Sequence, residues 1–347
     1  MGILKKSQNK MAFSKVGIYG EAGAGKTFTA AKMAIGLHKK YGLNKPVAMF
    51  DTEPAASFIA PLFEQAGIEF LVADESRALS DLMAFMNEAE DTCSIGIIDS
   101  ITHVWKDVQS SFLKTLNDKR REQHKPPTYR LEFHHWGPIK ENWGRLTDKY
   151  LSSKLHCIVC GRAGTIYSYQ KNDETGKMEL ITTGTKMATE KEMGYEPSLL
   201  IEMVKHHEDG KLINRAIVEK DRADKLNGKM FDMPTFDDFK PHFDFLNIGG
   251  EHFGSMNKRD SSDMFNGSID DDGWPAEKRN RQIYSEEIAE LMKEYYPSQS
   301  ADDKKGRSDI MQRYFGTKSW TKISENTKAD ILKSTFETMK ADLAEES

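Results

Sequence analysis

The stretch GEAGAGKT at residues 20–27 carries the most specific chemistry in the chain. It fits G-x-x-x-x-G-K-[ST], with Gly20, Gly25, Lys26 and Thr27 at the fixed positions. Glycines let successive backbone N–H groups turn inward around phosphate oxygens, and a helix start behind them adds positive potential. Gly20, Glu21, Ala22, Gly23, Ala24, Gly25, Lys26, Thr27 and Phe28 are therefore expected to cradle a nucleotide. Lys26 is expected to reach the β- and γ-phosphates, and Thr27 to set its hydroxyl on Mg²⁺, making ATP and Mg²⁺ the expected cofactors. Two acids extend the site. Asp99 ends the apolar run Ile95 to Ile98 and is expected to hold Mg²⁺ through water. Ser100 follows it, so a water-activating carboxylate must come from elsewhere. "PVAMFDTEPAAS" offers Asp51 and Glu53 at the end of another apolar run, and Glu53 is expected to orient the attacking water. That expectation takes the strand before Glu53 as a neighbour of the phosphate-loop strand. No base-reading motif is evident.

These residues need elements to hold them. Val16 to Tyr19 reads as a buried strand before the loop; Ala30, Met33, Ala34 and Leu37 recur on one face of a helix after it. Strand-like runs fall at 15–20, 46–51, 68–72, 94–99, 155–161, 199–206 and 213–219, alternating with helical patterns. The alternation predicts an α/β fold with a mostly parallel central sheet and helices on both faces. The last two runs flank "HHEDGK" and read as an antiparallel hairpin. Residues 1–12 read as a polar arm, 13–246 as the main domain and 247–280 as a flexible linker rich in Gly, Ser, Asp and Asn. Residues 281–347 read as a small α-helical C-terminal module, with Ser285 and Asn326 as candidate N-caps.

Composition narrows the partners. A net charge of -5 over 347 residues gives no global basic field, so a nucleic-acid contact has to be a local patch. No apolar run approaches a membrane span, and the start of the chain lacks a hydrophobic signal region. Three cysteines suit a reducing compartment, and a cytoplasmic location is expected. Cys157 and Cys160 lie three apart in a strand-like run, facing opposite sides, and read as buried thiols. His134 and His135 have no companion ligand set.

The order of phosphate loop, strand-D-x-E and strand-D-S resembles the RecA-like recombinase and hexameric-helicase ATPases. It is most similar to the compact RecA-like "AAA family ATPases" of bacteriophages, including single-strand-annealing types. The resemblance covers about residues 13–235. It implies a RecA-like P-loop NTPase core, phage-encoded and at work in a bacterial host cell. It also implies that Glu53 is the water-activating base and Asp99 the metal acid. At the end of the 155–161 strand the family keeps a polar γ-phosphate sensor, often Gln or His; Arg162 stands there. Basic residues near "VEKDRAD" reach a neighbour's γ-phosphate in such assemblies, which maps onto Lys220 and Arg222 and implies a ring or filament.

Single-stranded DNA is the expected partner. Lys119, Arg120, Arg121, Lys125 and Arg130 cluster in "LNDKRREQHKPPTYR", with Tyr129 available to stack on a base. A solvated helix end is the alternative there. Residues 168–197 read as a second flexible DNA-contacting loop, with a weak charge signal. Trp136, Ile139, Trp143, Leu146 and Tyr150 mark one apolar helix face and read as core. The C-terminal helices read as a site for a protein partner or an oligomer edge. The competing function is an ATP-dependent protein switch or assembly factor that binds a protein and not DNA.

Overall fold

A computed structural model describes residues 6, 9–171, 177–252 and 276–345. The chain divides into two compact units, 1–256 and 257–347. In the first unit one sheet runs β3 (Phe70–Ala73), β2 (Val47–Asp51), β4 (Ile95–Asp99), β5 (His156–Lys171), β1 (Lys15–Gly20), β7 (Leu199–Glu208), β8 (Lys211–Asp221), β9 (Met230–Asp232). The pairs from β3 through β7 are parallel, and β8 and β9 add antiparallel. A further strand, β6 (Met178–Met187), pairs only with the outer part of β5. The expected mostly parallel α/β sheet is what forms.

Two layers of helix bury its faces. α1 (Lys26–Lys40), α2 (Ala56–Ala66) and α6 (Phe236–Phe245) cover one side through Met33, Leu37, Ile59, Phe63, Phe239 and Phe243. α3 (Leu79–Thr92), α4 (Ile101–Glu122) and α5 (Trp136–Ser152) cover the other through Leu82, Met86, Val104, Trp143, Leu146 and Tyr150. Strand residues alternate between the layers, as a period of two dictates: Ile158 and Cys160 face the first, Cys157 and Val159 the second.

Three expectations about elements change. β2 is not beside β1: β5 and β4 lie between them, and β1's direct neighbours are β5 and β7. The 168–197 stretch is not a loop. β5 runs nine residues past Arg162 and pairs with β6 as a long hairpin, because Thr165–Tyr169 and Met178–Thr185 alternate with β-branched and aromatic residues. Its turn, 172–176, lies outside the described residues, as do 253–275 of the expected linker and all of the expected arm before residue 9 except Lys6. The described part of that linker packs on the first unit: Asn247 N donates to Met11 O at 3.0 Å.

The second unit holds α7 (Ala276–Tyr295), α8 (Ala301–Phe315), α9 (Trp320–Asn326) and α10 (Ala329–Glu345) around Ile288, Leu291, Ile310, Ile323, Leu332 and Met339. Neither expected cap is one. Ser285 is buried inside α7, which begins nine residues earlier, and Asn326 ends α9. Ser300 and Ser319 cap instead, accepting from Asp303 N and Lys322 N.

Candidate nucleotide site

β1 delivers the loop at the carboxyl edge of the sheet. A side chain on Gly20 would lie 2.0 Å from the Met203 carbonyl oxygen of β7, so only glycine fits. Gly25 enters α1 at φ +84°, the left-handed region that glycine takes without steric cost. Lys26 Nζ folds back on the loop and donates to Glu21 O at 2.8 Å. Thr27 Oγ1 donates to Asp99 Oδ2 at 2.5 Å, so the loop hydroxyl and the β4 acid meet.

Asp99 is buried, and burial pushes its carboxyl up to about 6 against the lowering effect of the Thr27 hydrogen bond. A buried carboxylate beside a hydroxyl is a pair of hard-oxygen donors, held where a cation would offset the cost of burying the charge, which fits Mg²⁺. Thr27 and Asp99 are the residues that would hold the ion. The ion held there would supply positive charge against that of the phosphates.

Asp51 and Asp99 stand side by side in the β2–β4 register. Asp51 works on the backbone. Its two oxygens accept from Glu53 N at 2.9 Å and Ala56 N at 2.7 Å, which shapes the turn that presents Glu53. So Glu53 reaches the cleft although β2 is three strands from β1. Glu53 Oε1 takes Arg162 Nε at 3.0 Å and Arg162 Nη2 at 2.9 Å. His103 Nε2, on the first turn of α4, lies 3.4 Å from the same oxygen. Arg162 thus meets the carboxylate expected to activate water.

The cleft that Lys26, Thr27, Glu53 and Asp99 line has a volume of about 450 Å³ and is also lined by Phe28, Phe58 and Asn214. His103 and Asn214 were not foreseen. Asn214 comes from the β7–β8 hairpin, and its amide nitrogen would crowd any side chain on Gly25. Only the long hairpin register, two residues beyond the Gly20–Met203 pair, could have signalled it.

Lys220 and Arg222 lie elsewhere. In register Asp221 pairs with Leu199, which pairs with Val16, so they sit by the amino end of β1. The loop is at the other end, about 13 Å along the strand from the level of Asp221. Both donate to Tyr195 O, at 2.5 and 2.6 Å. Burial, and then the charge of Arg222, pulls Lys220 down to about 8. Between them Asp221 points inward and accepts from Ala223 N, Lys225 N, Leu226 N and the ring of buried His242.

The 116–130 cluster forms the far end of the α4–α5 arm. Trp105 packs edge-on against Trp143 along the arm, and Asn117 clips Thr128 with two hydrogen bonds. Arg120 is engaged with Pro126 O at 2.7 Å and Arg121 pairs with Asp118 at 3.3 Å. Lys119, Lys125 and Arg130 are exposed. Tyr129 is 85% exposed and Phe133, which no charge or spacing singles out, 96%. Bare aromatic rings and cations at one tip form a candidate stacking surface.

The fold and the cleft define a phosphate-loop NTPase of the α/β class, in which one strand, β5, separates the loop strand from the strand that ends in Asp99. Residues 12–241 match the AAA domain family AAA_24, and the chain belongs to it. A solved KaiC-like protein of the hyperthermophilic archaeon Pyrococcus horikoshii is similar over 63% of this chain and 86% of its own, at 16% identity and a TM-score of 0.39. No curated protein matches the chain. Among the described residues no helix is long and apolar enough to cross a membrane.

Proposed function

We propose that the chain binds Mg·ATP and hydrolyses it with Glu53 as the water-activating base, in an assembly that acts on single-stranded DNA. Recombination, repair or replication of a phage in the host cytoplasm is the setting that fits. The observation that carries the reading is the meeting of Lys26, Thr27, Asp99 and Glu53 on one cleft from the ends of β1, β4 and β2. Arg162 is the γ-phosphate sensor, released from Glu53 when phosphate oxygens compete for its charge. Lys220 and Arg222 serve the cleft of a neighbouring copy, since they lie at the edge away from their own. The DNA-facing groups are Lys119, Lys125, Tyr129, Arg130 and Phe133 on the arm tip; Arg120 and Arg121 are already engaged there.

The second reading, a protein switch, is supported by the β5–β6 hairpin. It exposes Tyr167, Tyr169, Met178 and Leu180, a largely apolar surface suited to protein. One experiment separates the two. ATPase rate is measured with and without single-stranded DNA at low and moderate salt, with Lys26→Ala as control. Stimulation that fades with salt is the expected result. No stimulation and no DNA binding would favour the protein switch. ATP binding retained by Lys26→Ala would remove the nucleotide assignment itself.

A further inference from the structure

His103 is absorbed by none of the roles above, yet its ring lies between two of the motifs. Nδ1 is 2.9 Å from Thr52 Oγ1, the middle residue of D-T-E. Nε2 is 3.4 Å from Glu53 Oε1, the last residue of the same motif. Thr52 Oγ1 in turn accepts from Ser100 N at 2.8 Å, and Thr52 N donates to Asp99 O at 2.7 Å. The ring is only 12% exposed. Burial, stronger than the opposing pull of Glu53, holds its basicity below that of an ordinary histidine, so at neutral pH it carries one proton.

The donors along this chain have one consistent direction. Ser100 N–H fills one lone pair of Thr52 Oγ1. The Thr52 hydroxyl proton is then free to point at Nδ1, and Nε2 keeps the ring proton for Glu53. Thr52 Oγ1 and Nδ1 are thereby paired, and the tautomer follows from that neighbour. The chain starts at Ser100, directly after the metal acid, and ends at the carboxylate.

Arg162 and His103 converge on one oxygen of Glu53, Oε1, which leaves Oε2 free of both. Arg162 stands at the root of the β5–β6 hairpin and its charge suits phosphate oxygens. His103 is neutral, short and packed on the first turn of α4, so phosphate has little hold on it.

We infer that His103 is the positioning residue for Glu53: it holds Oε1 through Nε2–H after Arg162 leaves, so that Oε2 faces the attacking water. The inference rests on the proposed role of Glu53 and adds the means by which that carboxylate keeps its aim. A neutral donor suits the role. It orients the acid without placing a full positive charge beside the group that must accept a proton.

The test uses the full chain and three substitutions, with ATP turnover, ATP KM and thermal midpoint measured for each. His103→Asn keeps a polar atom near Thr52 but falls short of Glu53. His103→Gln extends an amide N–H to the Nε2 position. His103→Ala removes both contacts. The expected result is a loss of about tenfold to a hundredfold in kcat for Asn and Ala, with KM within about twofold, and recovery of most of kcat for Gln. In a Glu53→Gln background the His103 substitutions should cause no further loss. Equal loss for Asn and Gln, or a raised KM with kcat kept, would overturn the inference in favour of a packing role. So would full kcat in His103→Ala. If Ala does not fold, the Asn–Gln contrast still decides. The underlying reading has its own control: normal turnover in Glu53→Gln alone would overturn the role of Glu53, whereas loss there with normal turnover in the His103 variants overturns only His103.

Discussion

The two edges of the sheet carry opposite chemistry. At the carboxyl edge the loop, Thr27, Asp99 and Glu53 form an acid-and-amide cleft suited to a metal-bound triphosphate. At the amino edge Lys220 and Arg222 share one carbonyl acceptor and a buried clamp. The distance between them, about 13 Å of strand, exceeds the reach of an arginine side chain. The difference teaches that, within one copy, the basic pair and the cleft stay apart. In the proposed function, each copy lends its basic edge to the next.

The largest effect should come from breaking that loan. Arg222→Ala is expected to lower turnover by about 10³-fold while leaving ATP binding by the isolated chain unchanged. Mixing it with Lys26→Ala subunits should restore part of the rate, because each variant supplies the edge the other lacks. Mixtures that stay inactive would place the pair outside the reaction. Next in size is Glu53→Gln, expected to cost about 10²-fold or more in kcat with ATP still bound. Single-turnover assays beside a nucleotide titration check it; near-normal turnover would move the base elsewhere.

The pH profile sharpens the same comparison. Lys220 is pulled down to about 8, so it is charged below that pH and loses its proton as pH rises through it. Turnover is expected to fall above pH 8, by up to about tenfold per pH unit where Lys220 limits the rate. Lys220→Arg keeps its charge over that range and should flatten the fall; an unchanged profile would exclude Lys220 as the titrating group. The smallest effect is on the arm. Tyr129→Ala and Phe133→Ala should each weaken single-stranded DNA binding by about 1–3 kcal/mol, read by anisotropy at fixed salt, without touching basal turnover. Equal affinity in both would take the tip out of the DNA contact.

The two edges also differ in how readily sequence discloses them. The loop, Asp99 and Glu53 lie within a few residues of apolar runs, so type and spacing singled them out, and the structure brings them to one cleft. His103, Asn214 and the Arg162–Glu53 pair come from pairings over long separations, such as the 109 residues between Arg162 and Glu53. Nothing local announces such a meeting. The β5–β6 hairpin was hidden for another reason: its Lys, Glu and Thr content resembles a loop, and its strand character lies in alternation that two exposed faces blur. Strand order escaped too. A parallel sheet permits several orders, and only crossover packing chose the one with β5 and β4 between β1 and β2.

The Asp221 clamp has a consequence for the thermodynamics of assembly. A basic finger on a mobile loop would have to be ordered when copies meet, at about 0.5–1.5 kcal/mol for each long side chain. Here three backbone amides of the turn that follows the aspartate, and a buried histidine from α6, fix that turn. The ordering is completed during folding, inside one molecule and independent of concentration. In the proposed assembly, association would begin with its basic groups preorganised, and the strength of contact between copies would be left to depend on surface complementarity and salt.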